Sequence, residues 1–168
     1  MKMLSEFIGQ NIEIVTPSCF KSEFNLEAGG STICTLKSIN FWNTRQEISG
    51  FGKSWEIYSE SVWKGRTEIK EKNKELPLAH YEGGGLKHSG TFFLPQGERV
   101  NLVFNLWKSF YELQNERGEV LAHLANKSFF SSTIVITINR KSEVLDKYPF
   151  LLLFAFNIAQ QRKHAAAA

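Results

Sequence analysis

Aspartate is nearly absent from this chain: of 17 acidic residues among 168, only Asp146 is one, and there are just 2 Cys, 2 Met and 4 His. That scarcity removes most of the parts from which metal centres and acid–base pairs are built, so neither a metal nor a cofactor is expected. Cys19 and Cys34 stand 15 positions apart without a CxxC partner, which argues against a disulfide framework or a redox pair. Cys34, between Ile33 and Leu36, reads as an inert buried thiol. The opening MKMLSEFIGQ lacks the apolar core of a secretory signal, and the expectation is a reduced, cytoplasmic protein, peripheral to a membrane at most. No apolar run reaches the roughly 20 residues of a spanning helix. Charge is also sparse in excess: 20 Lys and Arg give a net +3, dispersed rather than massed, so no nucleic-acid partner is expected. Lys70, Lys72 and Lys74 alternate with Glu71 and Glu75, the pattern of a solvated turn.

What is abundant is aromatic: 14 Phe, 4 Trp and 4 Tyr make 13% of the chain, which favours strands and a bulky interior. From Phe24 to about Ile138, short alternating or β-branched runs are broken by turn residues. Ile33–Leu36, Ser54–Tyr58, Thr91–Leu94, Val100–Phe104 and Thr133–Ile138 read as strands. Ala28-Gly29-Gly30, Ser49-Gly50, Lys72-Asn73-Lys74, Pro95-Gln96-Gly97 and Asn115–Gly118 read as turns. Such close spacing suits an antiparallel meander, because parallel strands need long crossovers.

A repeat supports the meander. Leu121-Ala122-His123-Leu124 resembles Leu78-Ala79-His80-Tyr81 at an offset of about 44 residues, and a third copy runs from Phe24 through Gly29-Gly30 to Leu36. Three units of three or four strands predict roughly ten to twelve strands. Closure removes the exposed edges of such a sheet, and a barrel that wide cannot be filled by its own side chains. The filling is expected from Tyr148 to Ala159, a run apolar all round and therefore suited to a core. Phe150, Leu151, Leu152, Leu153, Phe154, Phe156 and Ile158 form this central helix, expected at about 143–161, capped by Ser142 or Asp146 with Pro149 in its first turn. Arg162, Lys163 and His164 suit the negative end of its dipole. Burial of the large apolar side chains contributes, gross, roughly 10–20 kcal/mol. Residues 1–22 are open to two readings: a strand at Ile12–Val15 that joins the barrel, or a short helical plug at Leu4–Ile8. Residues 23–164 are read as the barrel domain and 165–168 as a tail.

The candidate sites are few. Lys64, Arg66 and Lys70 share one strand face, with Trp63 opposite, and could meet anionic lipid, against the plainer reading of a solvated wall. Gly83-Gly84-Gly85 with Lys87 and His88 reads as a glycine corner rather than a phosphate cradle, because a strand follows it instead of a helix. His80 and His123 occupy equivalent repeat positions. No GxSxG elbow or Ser-His-acid set can be named, and no catalytic residue is assigned. Trp42, Trp55 and Trp107 are expected to pack inside the lumen.

Several stretches, taken in order, resemble the tubby-like C-terminal domain superfamily, in its LURP-one-related and phospholipid-scramblase-like branch. They are Ser54-Trp55-Glu56-Ile57 with Gly65 and Thr67-Glu68-Ile69; Gly83–Leu86 with Gly97-Glu98-Arg99-Val100; Tyr111-Glu112-Leu113 with Gly118–Leu121; and Pro149–Leu153. They span about residues 24–160. The resemblance implies a closed barrel threaded by its C-terminal helix, no catalytic activity, and an association with phosphoinositides or membranes. No lysine and arginine pair matches the tubby headgroup site, and no acidic run matches the calcium pattern of scramblase-like relatives. The expected function is thus a non-enzymatic interaction module that binds anionic phospholipid or a protein partner at a membrane surface. A carrier of a small apolar ligand in the barrel is the alternative, and a hydrolase the third reading.

Overall fold

A computed structural model of the chain describes residues 3–17, 22–40, 42–59, 66–83 and 89–167. Its strands are β1 (Ile12–Val15), β2 (Glu23–Ala28), β3 (Ser31–Ser38), β4 (Arg45–Gly50), β5 (Lys53–Ser59) and β6 (Arg66–Glu71). They continue with β7 (Ala79–Gly83), β8 (Gly90–Phe93), β9 (Arg99–Asn105), β10 (Phe110–Gln114), β11 (Val120–Asn126) and β12 (Ile134–Ile138). Each pairs antiparallel with its neighbour in sequence, and β1 pairs with both β2 and β12, which closes a twelve-stranded barrel. The alternation that forms the strands also sorts their faces. Ile12, Ile14, Leu26, Leu36, Ile48, Trp55, Ile57 and Ile69 point inward and are buried, while Glu13, Glu47, Glu56, Glu68 and Lys70 take the outward positions between them.

The repeat maps onto this ring. Hairpins β2–β3, β6–β7 and β10–β11 lie four strands apart, so one 44-residue unit is four strands and three units complete the circle. The register preserves the correspondence: Glu68 pairs with His80, and Glu112 with His123.

After β12 come α1 (Glu143–Lys147) and α2 (Leu151–Ala167). The helix expected as one piece over 143–161 is therefore two, and it runs further. Ser142 caps α1, its Oγ accepting from Leu145 N at 3.3 Å. Tyr148 then leaves helical geometry at φ −123° and ψ 65°, because the ring of Pro149 excludes the α region for the residue before it. Within α2, Leu151 to Ile158 are buried on every side. Phe150 meets Trp55 on β5, Phe154 meets Phe92 on β8, and Phe156 meets Phe24 on β2. Contacts to walls all round the ring place the helix in the lumen, the filling that a barrel of this width requires.

Residues before β2 contribute twice. A 3-10 turn at Leu4–Phe7 buries Leu4 and Phe7, and β1 closes the ring. The single aspartate ties this segment down: Asp146 Oδ1 accepts from Ser5 N at 2.7 Å across 141 positions. Asp146 therefore holds the N-terminal turn against α1, whereas Ser142 supplies the cap.

Three expectations need correction. The β4–β5 turn falls at Phe51-Gly52, with φ 53° and 73°, and not at Ser49-Gly50. Gly50 stays in β4 because a Cβ there would lie 2.7 Å from Cys34 Sγ and from Ile33 O, so β3 and β4 can approach this closely only over glycine. The other two concern tryptophan. Trp55 is in the lumen, but Trp42 is 79% exposed and Trp107 97% exposed. Both sit on connections between strands, where chain reversal carries side chains past the end of the ring.

Candidate functional site at the mouth of the barrel

An up-and-down ring sends alternate connections to opposite ends. The connections β2–β3, β4–β5, β6–β7, β8–β9 and β10–β11 share one end with α1, whose Lys147 Nζ reaches Gln96 and Glu98 in the β8–β9 turn. The remaining connections gather at the other end, the mouth, and α2 runs through the lumen to deliver Arg162, Lys163 and His164 there.

The lumen changes character along α2. Around Leu151 to Phe156 it is apolar. One turn further, Asn157 donates from Nδ2 to Gln46 Oε1, and Gln161 Nε2 donates to Asn157 Oδ1 at 2.8 Å and to Ser59 Oγ at 3.3 Å. Ser59 in turn bonds Thr67 at 3.2 Å. These buried amide and hydroxyl groups satisfy one another, as groups removed from water must.

Arg162 is the most constrained cation. Its Nη2 donates to the Tyr81 hydroxyl and, at 3.4 Å, to Ser89 O, and the guanidinium lies over the Tyr81 ring at 5.3 Å. Nη1 is buried and has no hydrogen-bond partner among the described residues. Burial pushes the Tyr81 hydroxyl up to about 12 despite the nearby guanidinium, and it raises Tyr111 as well. Space for the pair comes from two glycines that face each other across β7 and β8: a Cβ on Gly83 would stand 2.5 Å from Arg162 Nη2, and one on Gly90 2.2 Å from the Tyr81 oxygen.

Two hollows flank this end of α2. On the β9–β12 side, about 280 Å³ is lined mainly by Phe104, Tyr111, Leu124, Ile134, Phe156 and Ala159, with Arg162 and Lys163 beside them. On the β2–β4 side, a more polar cleft of about 660 Å³ runs past Ser38, Asn43, Gln46 and Asn157 to His164. Beyond both, the connections carry apolar side chains into solvent. Ile39 and Trp42 follow β3, Leu106 and Trp107 follow β9, and Phe129 and Phe130, 93% and 95% exposed, follow β11.

Of the basic strand face, Arg66 pairs with Glu68 at 3.1 Å and with Glu82 at 3.2 Å, and Lys70 pairs with Glu56 at 3.3 Å. Lys64 lies outside the described residues, as do Cys19, Trp63, Gly84, Gly85, Lys87 and His88. Further pairs on the outside of the barrel join Lys72 to Glu47 and Lys127 to Glu13. At the mouth, in contrast, Lys108, Arg162 and Lys163 have no carboxylate partner among the described residues. His80 stacks on Phe93 and meets Glu82, and His123 meets Glu112 and the edge of Phe110, both on the convex outer wall. Among the described residues no group of three His, Cys, Asp or Glu could hold a metal, and no helix is long and apolar enough to cross a membrane.

Sequence reasoning assigns Arg162 only to the helix dipole and misses the mouth. The signals are present: Trp107 lies in Asn105-Leu106-Trp107-Lys108-Ser109 and Phe129-Phe130 among Lys and Ser, settings of connections rather than strands. No known family profile, curated protein or solved structure matches the chain. The architecture that stands is a twelve-stranded closed antiparallel barrel with a C-terminal helix.

Proposed function

We propose that this is a non-enzymatic, tubby-like interaction module that docks on anionic phospholipid surfaces through the mouth of its barrel. The observation that carries the reading is the coincidence, at one end, of exposed Trp42, Leu106, Trp107, Phe129 and Phe130 with cations that lack carboxylate partners among the described residues, Lys108 and Lys163. Several large apolar side chains held in solvent at one end of the barrel favour an interaction surface there, and Trp and Phe beside Lys are the residues that settle at a headgroup boundary. Each such Lys adds about 1 kcal/mol near a strongly anionic leaflet. The sequence period adds support: Trp107-Lys108 repeats Trp63-Lys64 44 positions on, and Phe130 repeats Trp42 two periods on. The outer wall supports docking over insertion, because its mid-strand positions carry paired charges where a spanning barrel needs an apolar band.

Flotation with vesicles of phosphatidylcholine alone, or mixed with phosphatidylserine or phosphoinositides, tests the proposal. The chain should float with the anionic mixtures, less so at high salt, and the triple substitution Trp107→Ser, Phe129→Ser, Phe130→Ser should abolish it. No flotation with any mixture would overturn the lipid reading and leave a protein partner as the occupant of the mouth.

A further inference from the structure

The hollow on the β9–β12 side of α2 is unlike the rest of the lumen. Deeper in the lumen the helix is packed directly on the wall, as Phe154 is on Phe92 and Phe150 on Trp55, and the cleft on the β2–β4 side is more polar. Here about 280 Å³ stands open between Phe156 and Ala159 on the helix and Phe104, Tyr111, Leu124 and Ile134 on the wall. An apolar cavity of about 150 Å³ stays dry and holds one benzene, so this one has the capacity for an alkyl chain. Its rim is polar, with Ser109, Asn126, Gln160 and the cations Arg162 and Lys163. Arg162 borders it, and the buried Nη1 of Arg162 donates to nothing among the described residues.

The half-buried guanidinium has no carboxylate partner among the described residues, and its planar fork is matched best by an oxyanion. The neighbours hold it in place without neutralising it. Tyr81 and the Ser89 carbonyl take the Nη2 protons, and Gly83 leaves the room that the guanidinium fills. Lys163, on the same rim, adds a second positive charge.

We infer that this hollow binds a single-chain anionic amphiphile, with the alkyl chain between α2 and the β9–β12 wall and the carboxylate or phosphate head held by Arg162 and Lys163 at its rim. The site stands on the cavity and on these two cations, neither of which has a carboxylate partner among the described residues. It is measured with monomeric amphiphile in solution, so its outcome is separate from that of vesicle docking.

Titration calorimetry of the full chain with decanoate, decyl phosphate and decanol, each below its micelle concentration, decides it. Either or both anions should bind one to one, the tighter one naming the head as carboxylate or phosphate, and decanol should bind at least about tenfold more weakly. Arg162→Met with Lys163→Met should bring anion and alcohol to within about twofold of each other. Ala159→Phe should fill the hollow and abolish all binding, with circular dichroism to confirm that each variant folds. Absence of binding by both anions overturns the site, and so does equal affinity for decanol and the anions. Either result is read on the unmodified chain and needs no variant.

Discussion

Arg162, near the end of the central helix, donates from Nη2 to the hydroxyl of Tyr81 on β7, a bond that spans 81 positions and joins the helix to the wall at the mouth. The bond is possible only because residues 83 and 90, paired across β7 and β8, have no side chains. Together with Asn157 on Gln46 and Gln161 on Ser59, it ties the polar end of the helix to the wall.

The glycine requirement is testable. Gly90→Ala would place a methyl 2.2 Å from the Tyr81 oxygen and 2.4 Å from the backbone carbonyl of Glu82. Backbone cannot swing aside, so the expected loss is about 1–3 kcal/mol in urea unfolding. Tyr81→Phe added to Gly90→Ala should recover only part of it, because the carbonyl contact remains.

The helix in the lumen is expected to carry much of the stability. Phe154 is fully buried and its ring lies 5.0 Å from that of Phe92. Phe154→Ala should cost about 3–5 kcal/mol, and a chain truncated before Leu151 should not fold, as read by loss of near-ultraviolet circular dichroism. A folded truncated barrel would show that the wall closes on its own side chains.

Alkaline pH should destabilise the barrel. Burial pushes the Cys34 thiol and the Tyr81 hydroxyl each up to about 12, against ordinary values near 9 and 10. Between those limits the unfolded chain has lost protons that the native chain keeps, so stability is full below pH about 9 and falls as pH rises toward 12. Unfolding midpoints across that range should decline by the equivalent of a few kcal/mol, because each tenfold difference in proton affinity between the native and unfolded chain is worth about 1.4 kcal/mol. Cys34→Ala should flatten the part of the decline nearest pH 9. The same burial predicts that Cys34 resists thiol reagents until the chain unfolds.

The exposed aromatics should be dispensable for folding. Trp107→Ser or Phe130→Ser removes a side chain that is almost wholly in solvent, so stability should change by no more than about 0.5 kcal/mol. A larger loss in thermal melting would mean that the mouth residues pack against structure of this chain and are not held out for a partner.

Much of the fold is legible in the sequence. Two-residue alternation at Ile33–Leu36 and Ser54–Tyr58 places side chains on opposite faces whatever their partners, because the pleat does so. The recurrence of Leu-Ala-His at about 44 residues, with a third copy of the strand–turn–strand pattern from Phe24 to Leu36, points to roughly ten to twelve strands, and the ring has twelve. The apolar run from Phe150 to Ile158 has to be enclosed, because a helix without a polar face has no place at a surface. These are local properties, and local sequence states them.

Other features depend on what comes near in space. Trp42, Trp55 and Trp107 are one residue type, and only their place on strand or connection turned Trp55 inward and the other two to water. The sequence does not say that Ser5 would reach Asp146, or that Phe51-Gly52 and not Ser49-Gly50 would make the turn; the close approach of β3 to Gly50 decided the latter. Arg162 reads in sequence as a charge at a helix end. Closure of twelve strands around α2 buried one of its nitrogens, and chain reversal set exposed aromatics on the connections at the same end, because packing and topology assign neighbours that no stretch of chain can choose alone.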